Sequence, residues 1–436
     1  MGLAVLVLGG ALGLGSAFGQ RSSTASVAVR PTSTAAAIPL TLVNRTCSVA
    51  DLAADPRLGS MQAQVRVAST GEVLFDRGGA QASRPASVQK VLTAAAALAV
   101  LGPDYRVTTT VVQGVNPGEI VLVGAGDLTL ARTGSNVYPG AASLPELASQ
   151  ALATYRAATG AAPTSLVLDS TAFGGEEWQH SWNRKELGDG YQAPVTALMV
   201  DGDRDDPNSN VSSRSDDPIG RVGSAFAELL GGGVSVSRGT APSGATVLAS
   251  VQSPTVAQLI DKALTVSDNT AAEMLARLVA IATGSGNTFA AIQPGVLQGL
   301  ASYDIPTTGI TLVDGSGLSD DNAVSPDYLT QLFRKINARS GALGLIVDSL
   351  PISGQRGSLS YSDRFAGDNA AADGAVYAKT GWIDTGYTLA GIIHASDGTD
   401  LTFAIFALGD VSDSAKQAID TWVTGVYRCG NLLSNN

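Results

Sequence analysis

The sequence predicts an α/β fold of the α+β kind: a five-stranded antiparallel sheet flanked by helices, with a β-rich domain inserted between its two halves. Three observations carry this expectation. Strand-like segments gather at both ends of the chain, a nearly all-apolar helix follows the first of them, and the residues between about 105 and 250 change character.

Residues 62–67 and 72–76 flank Ala68-Ser-Thr-Gly71 and read as a hairpin around a glycine turn. Next, Ser87 opens a run to Val100 that contains Val91-Leu-Thr-Ala-Ala-Ala-Ala-Leu-Ala-Val100. These are mostly good helix formers, apolar on every side as a fully buried helix is. At the far end, residues 375–379, 387–394 and 401–408 read as three strands joined by short turns, and residues 414–427 as a terminal helix. Two strands plus three make the sheet, with the Ser87 helix on one face and the terminal helices on the other. Between these parts lie β-branched runs at 107–112, 120–123 and 165–168, separated by Gly, Pro and Asp breaks. The expected organisation is therefore 40–104 with 251–436 as one domain and 105–250 as the insert.

At 436 residues, 44% of them hydrophobic, the chain can bury a large core. A net charge of −11 with only 27 Lys plus Arg argues against a nucleic-acid partner. Residues 1–19 form an uncharged apolar run closed by small residues, which reads as a signal peptide or a membrane anchor. Residues 20–39, rich in Ser, Thr and Ala, read as a flexible spacer. Both readings put the body outside the cytoplasm, secreted or anchored in the cell envelope. An oxidising compartment permits a bridge between the two cysteines, Cys47 and Cys429; the other reading is a pair of buried thiols. Catalytic cysteine chemistry lacks its usual partner, since His180 and His394 are the only histidines and neither sits in a recognisable motif.

Ser87-Val-Gln-Lys90 stands at the head of the buried helix. At i, i+3 both side chains share one face, so Lys90 can reach the Ser87 hydroxyl. A lysine at the mouth of an apolar core loses solvation, which lowers its pKa and suits it to act as a base. Taken alone, the pattern reads more readily as a helix-capping serine beside a surface lysine. Only six lysines occur in the chain, however, and this one precedes a run that must be buried. Lys379-Thr-Gly381 closes a predicted strand, where Lys379 and Thr380 offer a cation and a hydroxyl to a carboxylate. Gly381 would leave room for a bound peptide to approach the strand backbone. Ser267-Asp-Asn269 precedes a helical segment and alone would be an N-cap. In this order, however, the three match the signature of active-site serine penicillin-recognising enzymes.

On these motifs the chain resembles the D-alanyl-D-alanine carboxypeptidase/endopeptidases of the class C low-molecular-mass penicillin-binding proteins, the penicillin-binding protein 4 type. The likeness extends through Gly124-Ala-Gly-Asp-Leu-Thr-Leu130, residues 193–201, Asp314-Gly-Ser-Gly-Leu-Ser319 and residues 350–359. The long interval between Ser87 and Ser267 also fits that family, whereas class A β-lactamases have a far shorter gap.

The resemblance implies a penicillin-binding, serine β-lactamase-like domain acting on peptidoglycan stem peptides through a Ser87 acyl-enzyme, with β-lactam antibiotics as covalent inhibitors and no metal or organic cofactor. It implies that Lys90 takes the Ser87 proton, Ser267 relays a proton to the leaving amine, and Asn269 holds the substrate amide. Lys379 and Thr380 would bind the terminal carboxylate, and the N–H groups of Ser87 and Trp382 would form the oxyanion hole. Relatives often carry Ser or Thr where this chain has Trp382, a side chain large enough to narrow or cover the cleft. For the side-chain amine of the stem peptide, the segment around Trp182 to Tyr191 offers Glu186 and Asp189, with Arg184 competing for the place. The alternatives are a β-lactamase, against which no Glu-x-x-x-Asn pattern of the class A type appears between the first two motifs, and a non-catalytic cell-wall scaffold, against which the intact Ser87, Lys90 and Lys379 speak.

Overall fold

Alternation and all-apolar runs resolve into twelve strands and eleven α-helices in the computed structural model, which describes residues 44–435. The apolar run 1–19 and the spacer 20–39 lie outside the described residues. Along the chain, α1 (Ala50–Ala53) precedes β1 (Ser60–Val67) and β2 (Val73–Arg77), and a 3₁₀ turn at Ala86–Gln89 runs into α2 (Lys90–Val100). Then follow β3 (Thr108–Gln113), β4 (Glu119–Val123), β5 (Asp127–Leu130), α3 (Leu144–Thr159), β6 (Ser165–Asp169), α4 (Lys185–Asp189), β7 (Leu198–Val200), α5 (Pro218–Leu229), β8 (Ser235–Arg238) and β9 (Val247–Gln252). The chain closes with α6 (Val256–Thr265), α7 (Asn269–Ala282), α8 (Ile292–Leu300), α9 (Pro326–Asn337), α10 (Gly344–Ser349), β10 (Val376–Ile383), β11 (Gly386–His394), β12 (Asp400–Leu408) and α11 (Ala415–Cys429).

The main sheet has the order β10-β11-β12-β1-β2, so the two strands from the start of the chain and the three from its end form one antiparallel layer. Successive side chains on a strand point to opposite faces, and here both faces are apolar. Ala390, Ile392, Ala404 and Phe406 share a core with α2, α7 and α9, while Leu389, Ile393, Phe403 and Ile405 pack under Trp422 and Val423 of α11. This is the predicted five-stranded sheet with the Ser87 helix on one side and the terminal helix on the other.

Residues 108–252 build a second sheet, β8-β6-β4-β3-β9, over which α3 and α5 bury Leu147, Ala151, Val222 and Phe226. The region is less purely β than its sequence suggests. The β4–β6 and β6–β8 pairs are parallel, and parallel neighbours need crossover connections, which α3 and α5 supply. A further small pair, β5 with β7, is also parallel.

Two local expectations are corrected. Lys379-Thr-Gly381 does not end a strand: β10 continues through Trp382 and Ile383, because the turn to β11 is tight and Ile383 still pairs with Gly386. Gly381 does not clear space for a ligand. A side chain there would overlap the Thr388 hydroxyl and stand 3.0 Å from the Ala86 Cβ, so the glycine serves the packing of β10 against the turn that carries Ser87.

Cys47 and Cys429 are joined by a disulfide with 5.4 Å between their Cα atoms, within the usual span for such bonds. Backbone bonds flank it: Cys47 N–H donates to the Leu432 carbonyl (3.0 Å) and Ser434 N–H to the Cys47 carbonyl (2.8 Å). Among the described residues no helix is long and apolar enough to cross a membrane.

Candidate active site

The apolar residues of α2 bury the helix from Lys90 through Leu98, and its first residue, Lys90, goes under with them. Its Nζ donates to Ser87 Oγ (2.7 Å), Asn269 Oδ1 (2.7 Å) and the Ser316 carbonyl (2.8 Å). An ammonium has three donors, and each has an acceptor here. Loss of one proton leaves a lone pair facing Ser87 with the other two bonds intact. Burial pushes the Lys90 amine down to about 8, against the opposing charges of Glu273, Asp314 and Asp268.

Across the cleft stands β10, an edge strand of the sheet. Lys379 points inward and is fully buried, with Nζ donating to Ser267 Oγ (2.9 Å) and the Thr380 carbonyl (2.7 Å). Burial, followed by the charge of Lys90, holds Lys379 well below the usual lysine range. A bound carboxylate would restore its charge. Thr380 points to the other face of the strand, where its hydroxyl shares a bond of 2.7 Å with Ser358 Oγ.

Two non-glycine residues at the site have left-handed backbones: Ala86 (φ 46°), immediately before Ser87, and Ser267 (φ 62°). Such conformations are costly for residues with a Cβ and persist where the surroundings fix them. Asp268 caps α7 by accepting from the Ala271 N–H (2.9 Å), which sets Asn269 as the first residue of that helix.

Several residues gathered here carried no assigned role in the sequence. Glu273, wholly buried one turn into α7, accepts from the Gly315 and Ser316 N–H groups (3.0 and 2.7 Å) and so aims the Ser316 carbonyl at Lys90. Burial, then the charge of Asp314, raises the Glu273 carboxyl well above its usual range. Asp314 accepts from Gln89 Nε2 (3.1 Å), Trp182 Nε1 (2.8 Å) and the Gly317 and Ser319 N–H groups (2.8 Å each). The Asp-Gly-Ser-Gly run was visible as a string, but nothing local tied it to Lys90. Ser358 lay within the run 350–359 but nothing local tied it to Thr380, and Glu273 had no local signal at all.

One cavity of about 510 Å³ joins Ser87, Ser267, Asn269 and Thr380. Trp382 lines it without covering it: the indole is 48% exposed and meets the Tyr191 ring edge-on, with centroids 6.1 Å apart. Of the three candidates near Tyr191, Glu186 lines the cavity, whereas Arg184 lies over the Trp178 ring at 4.5 Å and Asp189 is exposed outside the lining. The exposed Lys185 ammonium bonds Asp384 in the β10–β11 turn (2.9 Å) and bridges α4 to the sheet edge.

A serine–lysine pair at the head of a buried helix, facing a lysine on the edge strand of a five-stranded sheet, defines a serine-type hydrolase with a penicillin-binding fold. The crystal structure of penicillin-binding protein 4 from Haemophilus influenzae superposes with a TM-score of 0.70, covering 87% of this chain and 98% of that one at 20% identity. The same protein complexed with a β-lactam superposes at 0.66, with 19% identity and the same coverage. In sequence, carboxypeptidase DacB of Mycolicibacterium smegmatis is 37% identical over 422 residues, 94% of this chain and 89% of the relative. The D-Ala-D-Ala carboxypeptidase 3 (S13) family matches over residues 45–209 and 204–426. The chain belongs to that family, and it is a serine-type D-Ala-D-Ala carboxypeptidase.

Proposed function

We propose that Ser87 is the nucleophile and Lys90 its base, acting on the D-alanyl-D-alanine end of peptidoglycan stem peptides. The observation that carries this is the 2.7 Å contact between Lys90 Nζ and Ser87 Oγ beneath the cavity floor. Ser87 Oγ attacks the carbonyl between the two D-alanines as its proton passes to Lys90. The oxyanion is received by the N–H groups of Ser87 and Trp382. The C–N bond then breaks, the terminal D-alanine leaves with a proton relayed through Ser267, and water hydrolyses the ester on Ser87. Asn269 spends its carbonyl oxygen on Lys90, so its NH₂ is the end left for the substrate amide. Lys379 and Thr380, with Ser358 behind Thr380, take the terminal carboxylate, and a β-lactam fills the same place as a covalent inhibitor.

Glu186 is the carboxylate proposed for the amine of the stem-peptide side chain, because it alone of the three candidates lines the cavity. Cleavage of D-alanyl cross-links belongs to the same proposal, as endopeptidase action uses the same acyl-enzyme. The domain division into 40–104 with 251–436 and an insert at 105–250, and a location outside the cytoplasm by way of residues 1–19, complete it. The Cys47–Cys429 bond supports that location.

Intact mass spectrometry after incubation with a β-lactam tests the nucleophile. A stable adduct forms on the wild type and is absent from Ser87→Ala. An adduct that persists in Ser87→Ala moves the nucleophile elsewhere, and rapid turnover of a chromogenic β-lactam makes the protein a β-lactamase instead.

A further inference from the structure

Between Ser267 and Asn269 lies Asp268, a wholly buried carboxylate. A helix cap does not by itself require a charge here, since asparagine caps as well as aspartate. A buried carboxylate is costly unless it is paired and hydrogen-bonded. The partner comes from far along the chain: Arg204 Nη2 donates to Asp268 Oδ2 at 2.6 Å, and both side chains are almost wholly excluded from solvent.

We propose that Arg204 is a positioning residue of the acyl transfer, fixing through Asp268 the left-handed turn that presents Ser267 and Asn269 to the cleft. The proposal rests on the roles given above to those two residues. Arg204 Nη1 donates to the Tyr138 hydroxyl (2.6 Å) and the Asp201 carbonyl (3.1 Å). The Tyr138 hydroxyl in turn reaches Asp268 Oδ1 (3.3 Å). Nη2 and Nε of Arg204 both meet the Asn210 carbonyl (3.2 and 3.4 Å). Every donor of the planar fork is therefore used, which a lysine cannot reproduce.

The loop that holds this fork is itself pinned. Asp201 and Asp203 both have left-handed backbones (φ 55° and 59°). Asp201 Oδ1 accepts from Asn136 Nδ2 (2.7 Å), and Asp203 pairs with Arg221 (3.0 Å). A rigid loop from the region between the first two motifs thus sets the strained Ser267 turn through one buried ion pair.

The pair also has an electrostatic consequence. Besides Arg204, Asp268 is faced by Lys262 of α6 and Arg214 of the same loop, and its charge reaches Lys90. Lys90 is faced in addition by Glu273 of α7, Asp314 and Lys379 of β10. Removing the guanidinium leaves Asp268 less compensated, which favours the ammonium form of Lys90.

The test uses the full chain carrying Arg204→Gln, Arg204→Lys, Asp268→Asn, and the Arg204→Gln/Asp268→Asn pair. The active fraction of each is first counted by β-lactam titration, and the acylation rate of that fraction is then followed against pH. Arg204→Gln is expected to acylate about 10²-fold more slowly, the scale of a misplaced reacting group. Its acid limb should move to higher pH, and adding Asp268→Asn should bring the limb back. Arg204→Lys should keep the wild-type limb, because the charge remains, yet acylate slowly because the fork is gone. A purely structural role lowers the active fraction and leaves the rate and pH limb of the surviving fraction untouched, which overturns the proposal. Should neither single Arg204 variant fold, the Arg204→Gln/Asp268→Asn pair decides, since it keeps the cap and leaves neither member of the buried ion pair unpaired: slowed acylation supports the role and a wild-type rate overturns it. An adduct found on Ser87→Ala refutes the nucleophile assignment independently of all these results.

Discussion

In the proposed role Lys90 must lose a proton before it can take one from Ser87, and burial brings that loss down to about 8 from the ordinary lysine value of 10.5. Below that pH the protonated share is inactive, so the second-order acylation rate is expected to rise about tenfold per pH unit and to level off above it. Stopped-flow acylation by a fluorescent β-lactam between pH 6 and 9.5 measures this. A flat profile in the wild type would remove Lys90 as the base. At this scale the sequence disclosed Ser87, Lys90 and Lys379 because motif spacing and burial of the following run are local facts. Ser358, Glu273 and Arg204 escaped because their contacts join distant segments, such as Ser358 with Thr380 and Arg204 with Asp268.

Elements were read where the apolar run is sustained or the alternation strict, whereas helices with one apolar face, such as α3, α5 and α9, were not. The helix behind Ser87 and all five strands of the main sheet follow from the pattern, while the parallel pairing of β4, β6 and β8 does not, since a short buried strand reads alike in either direction. The pattern also missed a buried charge at the start of β5. Asp127 Oδ1 accepts from the Thr129 N–H and hydroxyl (2.8 and 2.6 Å), but Oδ2 is buried without a hydrogen-bond partner. Burial raises this carboxyl to about 6 from 3.8, against the two Thr129 bonds. A raised carboxyl pKa means that folding favours the protonated form, so Asp127 contributes most below about pH 4 and loses that contribution as pH rises through 6. Asp127→Asn keeps an acceptor for Thr129 and carries no charge. Relative to wild type it is expected to gain about 3 kcal/mol between pH 4 and pH 7, from roughly two pKa units at about 1.4 kcal/mol each. Urea unfolding of both proteins at the two pH values measures the gain, and an unchanged difference would mean that Asp127 stays ionised throughout.

At the scale of the molecule, the main sheet is assembled from strands that the chain makes first and last, so its integrity depends on holding the two ends together. The Cys47–Cys429 bond does this directly, closing a sequence separation of 382 between the segment before α1 and the end of α11. Cross-links that close long loops restrict the unfolded chain most, which places the stabilisation here at about 3–5 kcal/mol. The same bond should matter little to the chemistry. Lys416, on the cavity wall, lies about 20 Å along α11 from Cys429 at the usual helical rise. The Cys47→Ser/Cys429→Ser variant is therefore expected to unfold at clearly lower urea while its folded fraction acylates at the wild-type rate. Adding reductant to the wild type should lower its midpoint in the same way and leave the variant where it was. If instead acylation falls in step with the midpoint, the terminal tether reaches the cleft through α11, and the sheet edge that carries Lys379 depends on it.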